Sequence, residues 1–555
     1  MLLAIAQAAA LHGMDRVRQV TKTDQAVAKY GVTGKGVVVA ILDRGIDWQH
    51  PDFIKPDGTT RIKWILDMSG QNLCGPGIPP TPGTPAPVEY SEARINAALL
   101  GGPTINTRDA VGHGTATAGI AAGNGRALAS RLYRGMAPEA DLIVVKLTSE
   151  GAPAHDTQPA ENPFQGCIEE ALDWLDGKVT ALGEPVVALI NSGTQWGPID
   201  GTSAVSRKID QVFGSNRPGR VYVAAGGDEG GLANHAGGDY PNAADVVVGT
   251  SKATTATTYM QMWYTGSHGA QVTVTFNDGT SMGPVGPGGS TSANGVTISQ
   301  HPPGNEFYPW QSTSGDRAVW IRILGHSGAG SIKVRGTQAG AGHFDLYGDV
   351  LGPNLTSIVS FTDHIVPGRL TDYASSQSAI VAANYVDKTN WIDIDRVPRS
   401  IVTEGAVDGL WSKSPGGPTR NGRPYGIDVT PPGQNCFASS ARNSYWHTLR
   451  SNLVQNGNGY YARAGGTSGS APILTGAIAL MLQFHPTLTA SQIRQTLRGF
   501  AFADGFTGPV PNANWGYGKL NVLAALDATN LADLSITKTN GQTTAVPCLR
   551  GVDCD

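Results

Sequence analysis

Charge is scarce in this sequence. Asp, Glu, Lys and Arg make up only 15% of the 555 residues and nearly cancel, to a formal net charge of −4. That balance leaves no electrostatic footprint for nucleic acid or an anionic membrane surface, so neither is expected as a partner. Cysteine is thin as well. Its five residues, Cys74, Cys167, Cys436, Cys548 and Cys554, leave at least one thiol unpaired and form no Cys-x-x-Cys pair. Neither a zinc site nor a dense disulfide scaffold is supported. No stretch reads as a membrane span, so membrane insertion is not expected. The apolar opening Met1–Leu11 lacks the basic residues that begin a signal peptide. Residues 1–18 read either as the remnant of a leader or as a packed N-terminal helix. No internal repeat is evident.

Glycine, by contrast, is plentiful at 73 residues. Many tight turns with little surface charge make a composition closer to secreted than to cytosolic proteins, so an extracellular or bacterial cell-surface location is expected. The length allows several domains, or one large α/β domain carrying an insertion, and the hydrophobic pattern favours the second. Continuous apolar runs at Val37–Leu42, Leu142–Leu147, Val186–Ile190 and Val221–Ala225 read as strands buried on both faces. Between them Ile168, Ala171, Leu172 and Leu175, then Val205, Ile209, Val212 and Phe213, recur at helical spacing. Alternating strand and helix argues an α/β fold, a parallel sheet with helices on both faces. From 231 to 366 the texture changes to short alternating segments, such as Val272, Val274, Phe276 and Val319, Ile321, Ile323, with Gly/Pro/Ser turns between them. This reads as an inserted all-β sandwich. Ser378–Val386 resumes the core-strand pattern, and Thr489–Gln492 has capping-box spacing ahead of Ile493, Leu497 and Phe500. The expected division is an α/β body over 19–230 and 367–530, a sandwich over 231–366, and a tail over 531–555.

Three polar stations lie on this frame. Gly466-Thr467-Ser468-Gly469-Ser470-Ala471-Pro472 leads into the apolar run Ile473–Phe484, which places a Ser at the N-terminus of a buried helix with Pro472 in its first turn. Unpaired N–H groups and the positive end of the helix dipole there favour a negative oxygen beside Ser468, as acyl transfer through a tetrahedral intermediate requires. Taken alone, the stretch reads first as a Ser/Thr helix cap. Asp43 ends the run from Val37, at the carboxyl end of a strand, where open α/β sheets hold their ligands. Alone, it reads as the cap of the following turn. His113, in Asp109-Ala110-Val111-Gly112-His113-Gly114-Thr115, opens a small-residue helix, whose dipole keeps the imidazole neutral, as a general base must be.

Together, Asp43 in Asp-Arg-Gly-Ile-Asp, His113 in Gly-His-Gly-Thr and Ser468 in Gly-Thr-Ser-Gly-Ser-Ala-Pro resemble the subtilisin-like serine peptidases, or subtilases, in motif and in chain order. The resemblance covers residues 20–530 and includes Pro431-Pro432-Gly433 and Trp515-Gly516-Tyr517-Gly518. Gly193–Ser203 and the insertion between Glu229 and Ala382-Ala383-Asn384-Tyr385 look like the clostridial spore-germination, Csp-type branch, whose members carry a jelly-roll insertion at this place and include pseudoproteases. The resemblance implies a serine endopeptidase acting on proteins or peptides through an acyl-enzyme. Ser468 would be the nucleophile, His113 the acceptor and donor of its proton, and Asp43 the group that orients the imidazolium. Ser470 is a rival nucleophile by spacing. By the same resemblance Asn191, Ser192, Gly193, Ala224, Ala225 and Gly226 line the primary specificity pocket, a roomy apolar one given their size, and an extended peptide pairs near Ser192 and Gly193. No cofactor is implied.

The chain also departs from the family. Subtilases complete the oxyanion hole, beside the nucleophile's own backbone at Ser468, with an Asn in Ala-Ala-Gly-Asn-Glu-Gly, and this chain has Asp228 in Ala224–Gly230. Ionised, Asp228 repels the forming oxyanion; protonated through burial, it donates a hydrogen bond. Asn234 substitutes for it only if the loop slips by six residues. The competing reading is a catalytically impaired subtilase-fold module that holds a partner. Arg44 replaces a small hydroxyl residue, either to steer Asp43 and bind acidic groups of a substrate or to face solvent. Ala116 replaces a second His outside the triad. Asp52 matches a position that ligates calcium in some subtilases, but Gly123–Tyr133 does not keep the remaining pattern, so no metal is assigned. The 42 residues before Asp43 are too few for the usual propeptide. Ala532–Thr539 looks like the first strand of a repeat domain of bacterial surface proteins.

Overall fold

The computed structural model describes residues 14–69, 86–148, 168–300, 312–348 and 359–536. At its centre a seven-stranded sheet runs in the spatial order Ala379–Ala382, Arg220–Ala225, Val186–Ile190, Val38–Asp43, Asp141–Lys146, Ile62–Asp67, Val88–Ser91. Every neighbouring pair is parallel except the last. Val39 and Ile41 pack with helices His113–Ala122 and Thr467–Phe484 on one face. Val38, Ala40 and Leu42 pack with helices Ile168–Leu182 and Ala204–Phe213 on the other. Burial on both faces is why these strands read as unbroken apolar runs and not as alternating ones. The α/β class, with flanking helices and additional antiparallel sheets, is the one the pattern implied.

Helix Thr467–Phe484 is long and apolar enough to cross a membrane, the only such helix among the described residues, but 83% of it is buried as the core helix of the sheet. Pro472 is its sixth residue and not part of its first turn. Lacking an N–H, Pro472 leaves the carbonyl four residues earlier without its helical donor. That carbonyl belongs to Ser468, and Asn191 Nδ2 donates to it at 3.0 Å.

Two antiparallel sheets between His235 and Phe361 share one core. The five-stranded sheet is ordered Ser281–Val285, Ala270–Phe276, Gly328–Gly336, Val246–Lys252, Val359–Phe361. The six-stranded one is ordered Ser290–Ala293, Val296–Ser299, Arg317–Ile323, Thr258–Tyr264, Ala341–Gly348, His235–Pro241. Met260, Met262, Val272, Val274, Phe344 and Leu346 point between the sheets, and the alternate residues of the six-stranded sheet face the α/β body. Trp263 is fully buried there, and Gln261 Oε1 accepts the N–H of Gly197 at 2.9 Å. Both stems of the unit are held by one segment of the body: Gly230 donates its N–H to Lys413 O at 3.1 Å and Arg369 to Gly416 O at 2.9 Å.

Arg420 is the main polar tie across this contact. Its guanidinium meets Asp345 Oδ2 at 2.6 Å, Asp316 Oδ2 at 2.7 Å and Pro198 O at 2.7 Å. Burial alone would raise the Asp345 carboxyl, but the hydrogen bond from His235 and the charge of Arg420 outweigh it and hold the group below the usual carboxylate range. Replacing Arg420 with Met strands two partly buried carboxylates, so stability should fall by about 3–5 kcal/mol. Urea denaturation followed by tryptophan fluorescence measures it, and a change within about 0.5 kcal/mol would show that the tie is not structural.

Two boundaries move. Helix Met14–Val20 crosses the expected break at 18 and belongs to the α/β body. Met14 and Val17 are buried in its core, Arg18 Nη1 donates to Gly135 O and Met136 O at 2.7 and 3.0 Å, and Arg16 bridges Asp387 and Asp408. At the other end helix Val522–Ile536 occupies residues expected to begin a strand at Ala532. The Leu/Ala-rich sequence before that point favours helix and carries it onward. Residues 1–13 and 537–555, with Cys548 and Cys554, lie outside the described residues, as do Cys74 and Cys167.

Candidate active site

Asp43 closes its strand with a carboxylate that is 2% exposed and fully engaged. It accepts the N–H of Arg44 at 2.7 Å and the hydroxyl of Thr117 at 2.8 Å, and it faces His113 Nδ1 at 2.7 and 2.9 Å. Thr117 stands one turn after His113 on the same helix, so the local sequence delivers both partners of Asp43 together. Close approach requires the glycines around the His. A Cβ on Gly112, whose φ is +106°, would lie 2.8 Å from Ser444 Oγ, and one on Gly114 would lie 2.1 Å from Gly45 O. Asp109 fixes the start of this helix by accepting the N–H groups of Gly112 and Thr115 at 2.7 and 2.8 Å. Burial raises its carboxyl, and those donors hold it back. The Trp446 ring stands edge-on to the imidazole, with centroids 5.4 Å apart. Asp109, Thr117 and Trp446 were not singled out from sequence. The first two carry a signal, an acid and a hydroxyl each four residues from the His; Trp446 comes from more than 300 positions away and carries none.

Ser468 is the second residue of helix Thr467–Phe484 and is half-buried. Asn191 Nδ2, which holds its carbonyl, also donates to Thr117 Oγ1 at 2.7 Å. Thr117 in turn binds Asp43, so one chain of hydrogen bonds joins all three stations. Among the described residues the Ser468 hydroxyl has no hydrogen-bond partner; catalytic hydrogen bonds in unliganded sites commonly tighten only around substrate. Ser470, the rival by spacing, is fully buried and donates to Thr467 O at 3.2 Å, which removes it from contention. Cys436 is a free buried thiol that burial pushes up to about 12, and is inert as a nucleophile.

The subtilase family model, Peptidase_S8, matches residues 34–518. This chain belongs to the subtilase family. Among curated relatives, the minor extracellular protease Vpr of Bacillus subtilis is 26% identical over 219 residues, which cover 36% of this chain and 23% of that protein. The match thus spans about a quarter of that relative's length. Among solved structures, the CspB protease of Clostridium perfringens superposes with a TM-score of 0.68 at 21% identity, covering 92% of this chain and 96% of that one. At that identity the likeness shows the shared fold.

Asp228 stands where the family resemblance leads one to expect an asparagine. Its Oδ1 accepts both the N–H and the hydroxyl of Thr467 at 2.8 Å, and its Oδ2 lies against Gly466, where a Cβ would come within 2.6 Å. Burial raises the Asp228 carboxyl, against the donors of Thr467 and the charges of His113 and Lys413. Asn234 does not replace it. That side chain is fully buried under the sandwich, donating to Gln195 Oε1 at 2.8 Å and Gly348 O at 3.2 Å.

Glu229 Oε2 accepts the N–H of Asp228 at 2.8 Å, and burial, with the Asp228 charge, pushes its carboxyl up from 4.5 to about 7. A raised carboxyl favours the folded state while it is protonated, so Glu229 withdraws stability as pH climbs from 4.5 to about 7. Glu229→Gln, which keeps an oxygen acceptor, should therefore raise stability by roughly 1–3 kcal/mol at pH 8 and change little at pH 4. Thermal melts at the two pH values check this; equal shifts at both would refute it.

Of the expected pocket residues, Asn191, Ala224, Ala225 and Gly226 are buried, Ser192 is half-buried and Gly193 is exposed. Thr371 bridges the two strand ends, donating its N–H to Gly226 O at 2.9 Å and its hydroxyl to Ala225 O at 3.0 Å. Small wall residues here make room for another part of the protein. Arg44 is half-buried, and it is its backbone that reaches Asp43. Asp52 gives no support to a calcium site, because its carboxylate is taken by Ala127 N–H, the Ser439 hydroxyl and the Tyr461 hydroxyl at 3.1, 2.7 and 2.8 Å. Among the described residues no three His, Cys, Asp or Glu side chains form a metal-binding group.

Proposed function

We propose that this protein is a serine endopeptidase that cleaves proteins through Ser468, His113 and Asp43. The observation that carries the reading is the Asp43 carboxylate against His113 Nδ1, linked through Thr117 and Asn191 to the helix N-terminus that presents Ser468. Ser468 Oγ bonds to the scissile carbonyl carbon as His113 Nε2 takes its proton, and Asp43 stabilises the imidazolium. His113 returns the proton to the departing amine as the C–N bond breaks, leaving an acyl-enzyme. Water then repeats the sequence and frees the acid and the Ser468 hydroxyl. The oxyanion meets the N–H groups at the start of the Ser468 helix and, while Asp228 is protonated, the O–H of its carboxyl.

Every step is carried by side chains and backbone, so no cofactor enters. Vpr, the relative named above, is described as extracellular, which together with the low surface charge supports export of this protein. A binding module without catalysis would need neither the Asp43–His113 contact nor an accessible Ser468, and no observation favours it. A fluorophosphonate probe tests the reading: labelling of the wild type that is lost in Ser468→Ala supports it, and an unlabelled wild type with no labelling gained in Asp228→Asn defeats it.

A further inference from the structure

Asp43 is 2% exposed and Thr117 fully buried, so the donors that hold this carboxylate come from the protein and not from bulk solvent. Oδ1 accepts the N–H of Arg44 at 2.7 Å, and both oxygens face His113 Nδ1, at 2.7 and 2.9 Å. The Thr117 hydroxyl has a choice of acceptor. Its single proton lies within reach of Asp43 Oδ2 at 2.8 Å and of His113 O at 3.0 Å, the carbonyl four residues back that a helical threonine ordinarily takes. The carboxylate is nearer and charged, and a charge-assisted bond is the stronger one.

Asn191 reinforces this arrangement. Its Nδ2 places one hydrogen on the Thr117 oxygen at 2.7 Å and the other on Ser468 O at 3.0 Å, the carbonyl that Pro472 leaves without a helical donor. Its own Oδ1 is buried with no hydrogen-bond partner among the described residues. An orphaned buried acceptor is costly, so an amide held in this way is held for its two hydrogens. Donation runs one way, from Asn191 to Thr117 to Asp43.

Resting on the serine-peptidase reading, we infer that Thr117 is a positioning residue for the reaction: from one turn beyond His113 it fixes the Asp43 carboxylate with both oxygens facing Nδ1, and through Asn191 it fixes that pair relative to the helix start that carries Ser468. The helix that bears the base also bears the group that aims the base's partner, so the two move together. The hydroxyl touches neither substrate nor the reacting atoms. It acts on how often the imidazole stands ready to take the Ser468 proton, and therefore on kcat, with little bearing on how tightly a peptide is held.

The test is kcat and KM on a single peptide, with thermal melts, for Thr117→Val and Thr117→Ser, each made in the wild type and in Asp43→Ala. Thr117→Val keeps the branched shape and loses the hydroxyl, and should lower kcat by about 10- to 100-fold, the kinetic worth of a hydrogen bond to a charged group. KM should change by less than about twofold. Thr117→Ser returns the hydroxyl and should recover most of the loss, even where it melts lower for want of the methyl. In the Asp43→Ala background Thr117→Val should cost no more than about twofold, because the group it acts through is gone. Should Thr117→Val not fold, Thr117→Ala, a better helix former, carries the same expectations. A wild-type kcat in Thr117→Val overturns the inference, as does a loss that persists undiminished in Asp43→Ala or that serine does not restore, since each makes Thr117 a packing residue. If the protein takes fluorophosphonate label and Thr117→Val keeps full kcat, only this inference fails. If it takes no label, the peptidase reading falls and this falls with it.

Discussion

Ser468→Ala should lower kcat for peptide hydrolysis by on the order of 10⁶-fold, a size of loss taken from the subtilisins and not from this chain, while leaving the protein as stable as before. Both halves follow from the same fact. Among the described residues the Ser468 hydroxyl has no partner, and the residue is held through its carbonyl, which Asn191 binds. Alanine keeps that carbonyl and the helix start, so a change in melting free energy beyond about 0.5 kcal/mol is not expected. Chemistry is another matter, since without Oγ no acyl-enzyme forms. His113→Ala should cost a similar amount, and the double variant little more than either alone, because the groups act as a unit. Residual activity in Ser468→Ala above about one part in 10³ of wild type, after exclusion of contaminants, would place the nucleophile elsewhere.

Asp228→Asn should leave activity nearly unchanged at pH values where Asp228 is protonated and raise it by about 10²–10³-fold where Asp228 is ionised, the range lost when a single oxyanion donor is removed, again a value from the subtilisins. Burial raises the Asp228 carboxyl, so the neutral form persists to higher pH than for an ordinary aspartate. Below that pKa, Oδ2–H donates to the oxyanion; above it, a carboxylate beside Gly466 repels the same oxygen. Wild-type kcat should therefore fall with rising pH on a limb that the Asn variant lacks. The linkage has the same sign: ionising a carboxyl whose pKa is raised by folding withdraws stability as pH rises, so the Asn variant should also melt higher in alkali. Superimposable kcat profiles for wild type and variant would remove Asp228 from the oxyanion site.

Elements with one-dimensional signatures were legible in the sequence. Strands buried on both faces write themselves as apolar runs, and the Thr489 cap appears in the structure with its reciprocal Gln492 bond. Asp43, His113 and Ser468 were legible because each lies at the end of such an element, where backbone geometry aims a side chain outward. Contacts made across the chain were not. Thr371 lies far in sequence from Gly193, and small residues at 193 and 226 are equally consistent with a cavity and with a neighbour that fills it. At the tail, helix Val522–Ile536 covers residues expected to begin a strand at Ala532, because the helix preceding them supplies hydrogen-bond partners that a lone strand would lack.

The two stems at Gly230 and Arg369 leave the body from adjacent points on Lys413–Gly416. For the host fold the sandwich is a detour between places already held together. The entropy of closing the α/β body around that gap grows only with the logarithm of the chain between the stems, about 0.6 kcal/mol per doubling of its length. An insertion so attached is cheap to lengthen, shorten or exchange during descent, whereas the residues between its far stem and the next strand, Thr371 among them, stay under the discipline of the groove.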